Sequence, residues 1–300
     1  MYRYQRLLVV LSLKDADASV LSMAARITRL AGSKDVIFYH AWQTLDVPAT
    51  LREKYPWLSE TGEGTIRERA QELIAKHYAD AGPASTDTLV EQGSELGGIL
   101  KLASSRDLDL IICGAGEPFH ADTEKLARKA PCSVLAVPPE SEVDFRKVLV
   151  PVDFSKYSAN AVEVAVAFAD AQGLTTFTCL HTFTVPPGHH RSSVPREEIA
   201  RDLDECAQTR MAEFMRPLDV RGLEVERIIT DQPSPAIAVR RLIDEESYDL
   251  VVVGARGKDA VAVTLLGSNA LEILQSCEVP TVVVKEKGAG LSFLKSLIRG

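Results

Sequence analysis

A Gly-x2-Gly-x9-Gly-Ser pattern runs through "GARGKDAVAVTLLGSNA", carried by Gly254, Gly257, Gly267 and Ser268. It follows the apolar run "YDLVVV" directly and leads into the helical pattern "LEIL". Glycines let main chain approach an anion with no side chain in the way. The free N–H groups at a helix start attract phosphate. On this reading Ser268 both caps the helix and donates to a phosphate oxygen, while Arg256 and Lys258 add positive charge. The plainer reading makes Gly254 and Gly257 turn residues and Ser268 an N-cap only. A second candidate, Asp153, closes the run "VLVPVD". A carboxylate repels phosphate at contact distance, but it accepts hydrogen bonds from an amine or a ribose hydroxyl. It also suits a turn or a helix cap, and position alone leaves these readings level.

These residues need elements to hold them, and the elements occur twice. "RLLVVLSLKDADASVLSMAARI" resembles "KVLVPVDFSKYSANAVEVAVAFA", "VIFYH" resembles "FTCLH", "RDLDLIICGAG" resembles "ESYDLVVVGAR", and "APCSVLAVP" resembles "EVPTVVVKE". Such an internal repeat makes two domains of one plan. We place them at residues 1–140 and 145–287, joined through the polar, proline-led "PESEVDF" and followed by a tail at 288–300. Strands are expected near 6–12, 35–40, 87–91, 108–113 and 133–137, then near 148–152, 176–181, 224–230, 249–253 and 281–285. Helical spacing falls at 158–171, 196–215, 235–246 and 268–276 of the second half. Apolar strands alternating with amphipathic helices indicate an α/β fold, two tandem open parallel five-stranded sheets with helices on both faces. In such sheets ligands sit beyond the carboxyl ends of the strands, where the winding reverses. Asp153 and Gly254 end the first and fourth strands of their half.

"VPVDFS", the five-strand alternation and the gapless glycine pattern resemble the universal stress protein family, in its ATP-binding subclass. The resemblance covers nearly the whole chain and makes it a tandem member. It implies strand order 3-2-1-4-5 in each sheet, Rossmann-like, with a nucleotide between strands one and four. It implies that Asp153 meets the adenine or ribose end, that main chain around Thr182 lines the adenine, and that Pro151 and Val152 shape the floor. Gly254, Arg256, Gly257, Gly267, Ser268 and Asn269 would hold ribose and phosphates. ATP, or ADP or AMP, would be the ligand, with Mg2+ accompanying the triphosphate. Family members also pair through their last strands, so "VLAV" and "TVVV" are expected to pair, and a homodimer is expected.

The first half lacks most of this equipment. Gly114 to Pro131 is seventeen positions and Gly254 to Pro280 is twenty-six, so the first half is nine residues shorter where the phosphate loop belongs. Glu117 stands where Gly257 stands, and Ser12 matches Asp153. "GAG" has no third glycine at dinucleotide spacing. One nucleotide site per chain is expected.

Other chemistry is weaker. Adjacent His189 and His190 diverge in most conformations and have no cysteine or acidic company, which favours a loop over a zinc site. His40 and His181 match between halves, including the half without the pattern, which favours a structural role. "DTEKLARK" reads as a solvated helix face, acidic first and basic last. The tail "LSFLKSLIRG" is a slight amphipathic segment, better suited to docking on protein than on a membrane. No Walker loop, GxSxG or Cys–His arrangement occurs. A net charge of −8 argues against wholesale nucleic-acid binding. Five cysteines without a CxxC pair suit a reducing compartment. No apolar run reaches membrane-span or signal-peptide length, so the cytoplasm is the expected location. Three functions follow: a nucleotide-dependent sensor acting on a protein partner, a slow ATP hydrolase resting on Lys258 and Asp259, or a ligand-free scaffold.

Overall fold

Burial separates the strands before any topology is considered. The runs "LLVV", "LIIC", "SVLAV", "VLVP", "LVVVG" and "TVVV" are buried along their whole length. Runs of this kind are buried on both faces and belong inside a parallel sheet covered by helices. The computed structural model describes residues 3–43, 49–54, 63–79, 81–115, 120–188, 194–257 and 266–286. The chain divides into two units, the first spanning Met1–Val143 and the second Asp144–Ala289.

In the first unit the order is β1 (Arg6–Val10), α1 (Asp17–Ala31), β2 (Asp35–Trp42), α2 (Ala49–Lys54), α3 (Glu63–His77), β3 (Ser85–Gln92), α4 (Glu95–Ser105), β4 (Leu110–Gly114), α5 (His120–Lys129) and β5 (Ser133–Val137). Its strands pair in parallel as β3-β2-β1-β4-β5. The second unit runs β6 (Val148–Pro151), α6 (Lys156–Gln172), β7 (Thr176–Phe183), α7 (Arg196–Met215), β8 (Glu224–Asp231), α8 (Pro235–Glu246), β9 (Leu250–Gly254), α9 (Ser268–Ser276) and β10 (Thr281–Val284). Its parallel order is β8-β7-β6-β9-β10. Both sheets therefore have the expected 3-2-1-4-5 plan. β3 and β8, at the outer end of each order, are exposed or half-buried along almost their whole length, with Val90 of β3 buried.

Local chemistry sets the helix boundaries. Ser94, Ser155 and Ser234 are N-caps whose hydroxyls accept from Gly97 N–H, Ser158 N–H and Ala236 N–H. Gly32 and Gly173 end α1 and α6 with φ of 59° and 77°, the left-handed region that glycine enters without steric cost. Each unit also clamps its first and fourth strands at the end away from the crevice. Asp109 Oδ2 accepts from Gln5 N–H and Arg6 N–H, both at 2.9 Å. Asp249 accepts from Arg146 N–H at 2.7 Å and Lys147 N–H at 3.0 Å. Burial pushes the Asp249 carboxyl above its usual range, against those amides, which favour the charged form. The strand pair that frames the crevice is thus pinned at its opposite end.

Candidate functional site

At the carboxyl ends of β6 and β9 the second unit opens a cavity of about 560 Å3. Pro151, Val152, Asp153 and Thr182 line it from the β6 and β7 side. Gly254, Arg256, Gly257, Gly267, Ser268 and Asn269 line it from the β9 and α9 side. The structure therefore brings together all ten residues singled out in the sequence. Lys258, Asp259, His189, His190, Glu117 and the tail lie outside the described residues.

The β6 side is built by a tight turn. Val152 N–H donates to Leu180 carbonyl at 2.8 Å, and His181 Nδ1 bonds the Val152 carbonyl at 2.8 Å. The chain then reverses through Phe154, whose φ is 65°. Asp153 Oδ1 accepts from Ser155 N–H at 3.0 Å and from the Ser158 hydroxyl, while Asp153 N–H donates to Ser158 Oγ at 3.0 Å. Ser155, not Asp153, is the N-cap of α6. Asp153 thus has a turn role through one oxygen, and its Oδ2 faces the glycine loop. A Cβ placed on Gly257 would stand 2.8 Å from that oxygen.

The three glycines have different reasons to be glycine. A Cβ on Gly254 would meet the Tyr157 carbonyl oxygen at 2.7 Å and carbonyl carbon at 2.8 Å, so α6 packs directly on the end of β9. Gly257 leaves space for Asp153. Gly267 is different: its φ is −72°, and an added Cβ would have only ordinary contacts, 3.6 Å and longer, with the described residues. Neither conformation nor packing among them requires glycine there. Gly267 also corrects one expectation. It holds the N-cap position of α9 itself and no side chain among the described residues caps the helix, whereas Ser268 is the first helical residue. Gly267 N–H donates to Ala255 carbonyl at 2.8 Å and its carbonyl accepts from Leu271 N–H at 3.0 Å. The next amides, of Ser268, Asn269 and Ala270, lie in the first turn and have no intrahelical acceptor.

Two arginines line the same cavity. Arg256 Nη1 donates to the Tyr157 hydroxyl at 3.3 Å. Arg210, from α7, places its guanidinium 4.6 Å from the centre of the Phe154 ring. Phe154 in turn lies 4.2 Å from the His181 ring and 5.7 Å from Phe214. Sequence reasoning missed Arg210 and Phe154, because nothing in the periodicity of α7 marks one arginine among several as facing the crevice. Burial, with a contribution from Arg210, pulls the His181 pKa below its usual value, although the Val152 carbonyl and Asp153 act the other way. His40 makes the same bond to the Leu11 carbonyl at 2.8 Å, so both histidines tie the second strand to the end of the first.

The first unit builds the same turn with its charges exchanged. Ser12 occupies the place of Asp153 and Asp17 the place of Ser158. Asp17 is 2% exposed and accepts from Ser12 N–H at 3.0 Å, Ser12 Oγ at 2.8 Å and Leu13 N–H at 2.7 Å. Leu13 repeats the positive φ of Phe154, at 60°. The carboxylate that stands at the strand end in one unit is sunk into the helix start in the other.

Among the described residues no cluster of three or more His, Cys, Asp or Glu side chains could hold a metal ion, and no helix is long and apolar enough to cross a membrane. All five cysteines are free thiols.

A model of the universal stress protein family matches residues 3–138 and again 144–285. A universal stress protein of Mycobacterium tuberculosis is 23% identical over 252 residues, covering 80% of each chain. One from Thermus aquaticus is 28% identical over 141 residues, 47% of this chain and 99% of that protein. Among solved structures, a Pseudomonas aeruginosa protein of unknown function superposes with a TM-score of 0.69 at 18% identity, covering 99% of this chain and 98% of that one. A universal stress protein from Archaeoglobus fulgidus gives 0.63 at 18% identity, covering 95% and 98%. These structures share the fold.

Proposed function

Because the chain belongs to the universal stress protein family, we propose that its second unit binds an adenine nucleotide, ATP with Mg2+, and works as a nucleotide-dependent sensor for a protein partner. The observation that carries this reading is the missing side chain at Gly267. Gly267 lines the cavity beside the first-turn amides of α9, where an added Cβ would meet described atoms only at ordinary contact distance, 3.6 Å and longer, and where the φ of −72° is open to any residue. A polyanion seated there gains the first-turn N–H groups, which have no intrahelical acceptor, and the positive end of the helix dipole. Arg256 and Arg210 add positive potential to the walls. Asp153 lies on the opposite wall, where a carboxylate fixed by Ser155 and Ser158 suits the ribose hydroxyls or the adenine amine. The divalent ion would neutralise phosphate charge and come with the nucleotide.

A ligand that touches both walls ties the β6 turn to the start of α9. Its affinity for the tied arrangement is the free energy available to change a partner's binding. The test is direct. Freshly purified protein is denatured and the released small molecules are identified, and stripped protein is titrated with Mg-ATP by calorimetry. We expect one adenine nucleotide per chain. Native mass spectrometry of the loaded protein reads the oligomeric state, for which a homodimer is expected. Absence of binding at millimolar ATP overturns the proposal.

A further inference from the structure

The β7 wall of the second unit's cavity rests on a ring that does not line it. Arg210 and His181 face the cavity, and both lie against Phe154. Phe214 packs edge-on against the same ring. We infer that Arg210 is the specificity-determining residue at the base end of this site: its guanidinium is the plane on which the nucleotide's base stacks, and Phe154 holds that plane in position. The stack rests on the nucleotide reading above and adds to it the surface that meets the base.

The contacts of Arg210 come first. Its guanidinium lies over the Phe154 ring at 4.6 Å, and among the described residues it makes no hydrogen bond and no ion pair. The side chain is exposed. A guanidinium backed by an aromatic ring keeps its outer face for a second planar group, and nucleic-acid bases stack on such faces as they do on aromatic side chains. Arg256 is used differently, since its Nη1 donates to the Tyr157 hydroxyl on the β9 side. Position points the same way. Neighbouring strands lie about 4.8 Å apart, so the ends of β7 and β9, with β6 between them, are about 10 Å apart. A nucleotide with its phosphates at the start of α9 extends across β6 toward β7, which brings its base, and not its phosphates, beside Arg210. The first unit supplies the comparison. Its turn demands the same positive φ, 60° at Leu13 against 65° at Phe154, yet an aliphatic side chain serves there. The turn therefore does not require an aromatic ring, and the ring occurs in the unit that carries the glycine pattern.

The test separates a base-stacking arginine from one that attracts phosphate. Mg-ATP and inorganic triphosphate with Mg2+ are titrated by calorimetry into the parent, Arg210→Ala, Arg210→Lys and Phe154→Leu, with circular dichroism as the check on folding. Arg210→Ala is expected to weaken Mg-ATP about tenfold, the usual effect of removing a stacking partner, and to leave triphosphate unchanged. Arg210→Lys keeps the charge but not the plane, and is expected to lose about fivefold on Mg-ATP. Phe154→Leu, which copies Leu13, should shift Mg-ATP in the same direction and spare triphosphate. Mg-ATP bound by Arg210→Lys as tightly as by the parent, or an equal loss for both ligands, overturns the stack and leaves the nucleotide reading standing. The Arg210→Lys result decides by itself if triphosphate binds too weakly to titrate. A parent that binds no ATP overturns both.

Discussion

At the scale of single residues, Gly267 separates a structural glycine from a ligand-imposed one. An alanine there has ordinary contacts with the described residues and an unstrained φ. Gly267→Ala is therefore expected to lower the unfolding free energy by no more than about 1 kcal/mol, the preference for glycine over alanine at an N-cap. Its methyl group nevertheless occupies the approach to the first-turn amides of α9, and Mg-ATP affinity should fall about tenfold or more, about 1.4 kcal/mol. Gly267→Val extends the same obstruction and should abolish binding, while Asp153→Ala should weaken it less. Calorimetry on the three variants orders them, and unchanged affinity in Gly267→Ala would remove the anion site from α9. His181 gives a second residue-scale expectation. Its folded pKa lies below the ordinary histidine value of 6.5, so below that pH the unfolded chain takes up a proton that the folded one resists. The stability present above pH 6.5 is thus lost progressively as the pH falls toward the folded value. In His181→Gln the decline in stability between about pH 7 and 5 should be shallower, as read by denaturant midpoints at each pH. The sequence showed Gly267 by its spacing. It could not show which of the three glycines the fold itself requires, because that depends on Tyr157 and Asp153, about a hundred positions away.

At the scale of elements, the same distinction predicts the opposite outcome for Gly254. The end of β9 touches the backbone of α6 at Tyr157, and backbone cannot rotate out of the way. Gly254→Ala must displace the helix or the strand, at a cost of about 1–3 kcal/mol in thermal or denaturant unfolding. Gly98 on α4 makes a matching contact in the first unit. Its Cβ would overlap the Tyr39 hydroxyl at 1.7 Å, so Gly98→Ala forces a buried ring into another position. Its destabilisation should be relieved only in part by Tyr39→Phe, which removes the hydroxyl but leaves the ring carbon Cζ 2.6 Å from the added Cβ, whereas no single side-chain change should rescue Gly254→Ala. Element positions were legible because apolar runs and helical spacing are local properties: α7, α8 and α9 occupy 196–215, 235–246 and 268–276 as read from periodicity. What α7 contributes to the crevice was not legible. Arg210 reaches Phe154 across 56 positions of chain, and the stack of Arg210, Phe154 and His181 exists only once α7 has packed on β7. The aspartates that clamp strand starts were hidden for the same reason. Asp109 and Asp249 look like ordinary punctuation before a strand until their partners, more than a hundred residues earlier, are in place.

At the scale of the whole molecule, the two units show how one fold is specialised by moving a charge rather than rebuilding an element. Sequence comparison found Ser12 opposite Asp153. It did not find the compensating change, Asp17 opposite Ser158, because helix-start residues vary freely in type and only the hydrogen bonds reveal the pair. The turn keeps one carboxylate and one hydroxyl in both units, so its bonding survives the exchange; what changes is whether the carboxylate ends the strand or opens the helix. This makes a reciprocal experiment possible. The double variant Ser12→Asp, Asp17→Ser rebuilds the second unit's arrangement in the first. The turn it copies accommodates either polarity, so folding should persist, with a stability change of about 1 kcal/mol, near the usual cost of altering one hydrogen-bonded pair. It should not gain a nucleotide site, since the connection after β4 lacks nine residues of the glycine loop and α5 presents no Gly-Ser at its start. The converse double variant, Asp153→Ser, Ser158→Asp, should also fold, and should retain phosphate attraction through α9 while losing the carboxylate that faces ribose. Its affinity should then fall less for inorganic triphosphate than for ATP, measured by competition against the parent. Equal losses for both ligands would show that the strand-end carboxylate does not read the nucleoside and that the exchange between the units serves the turn alone.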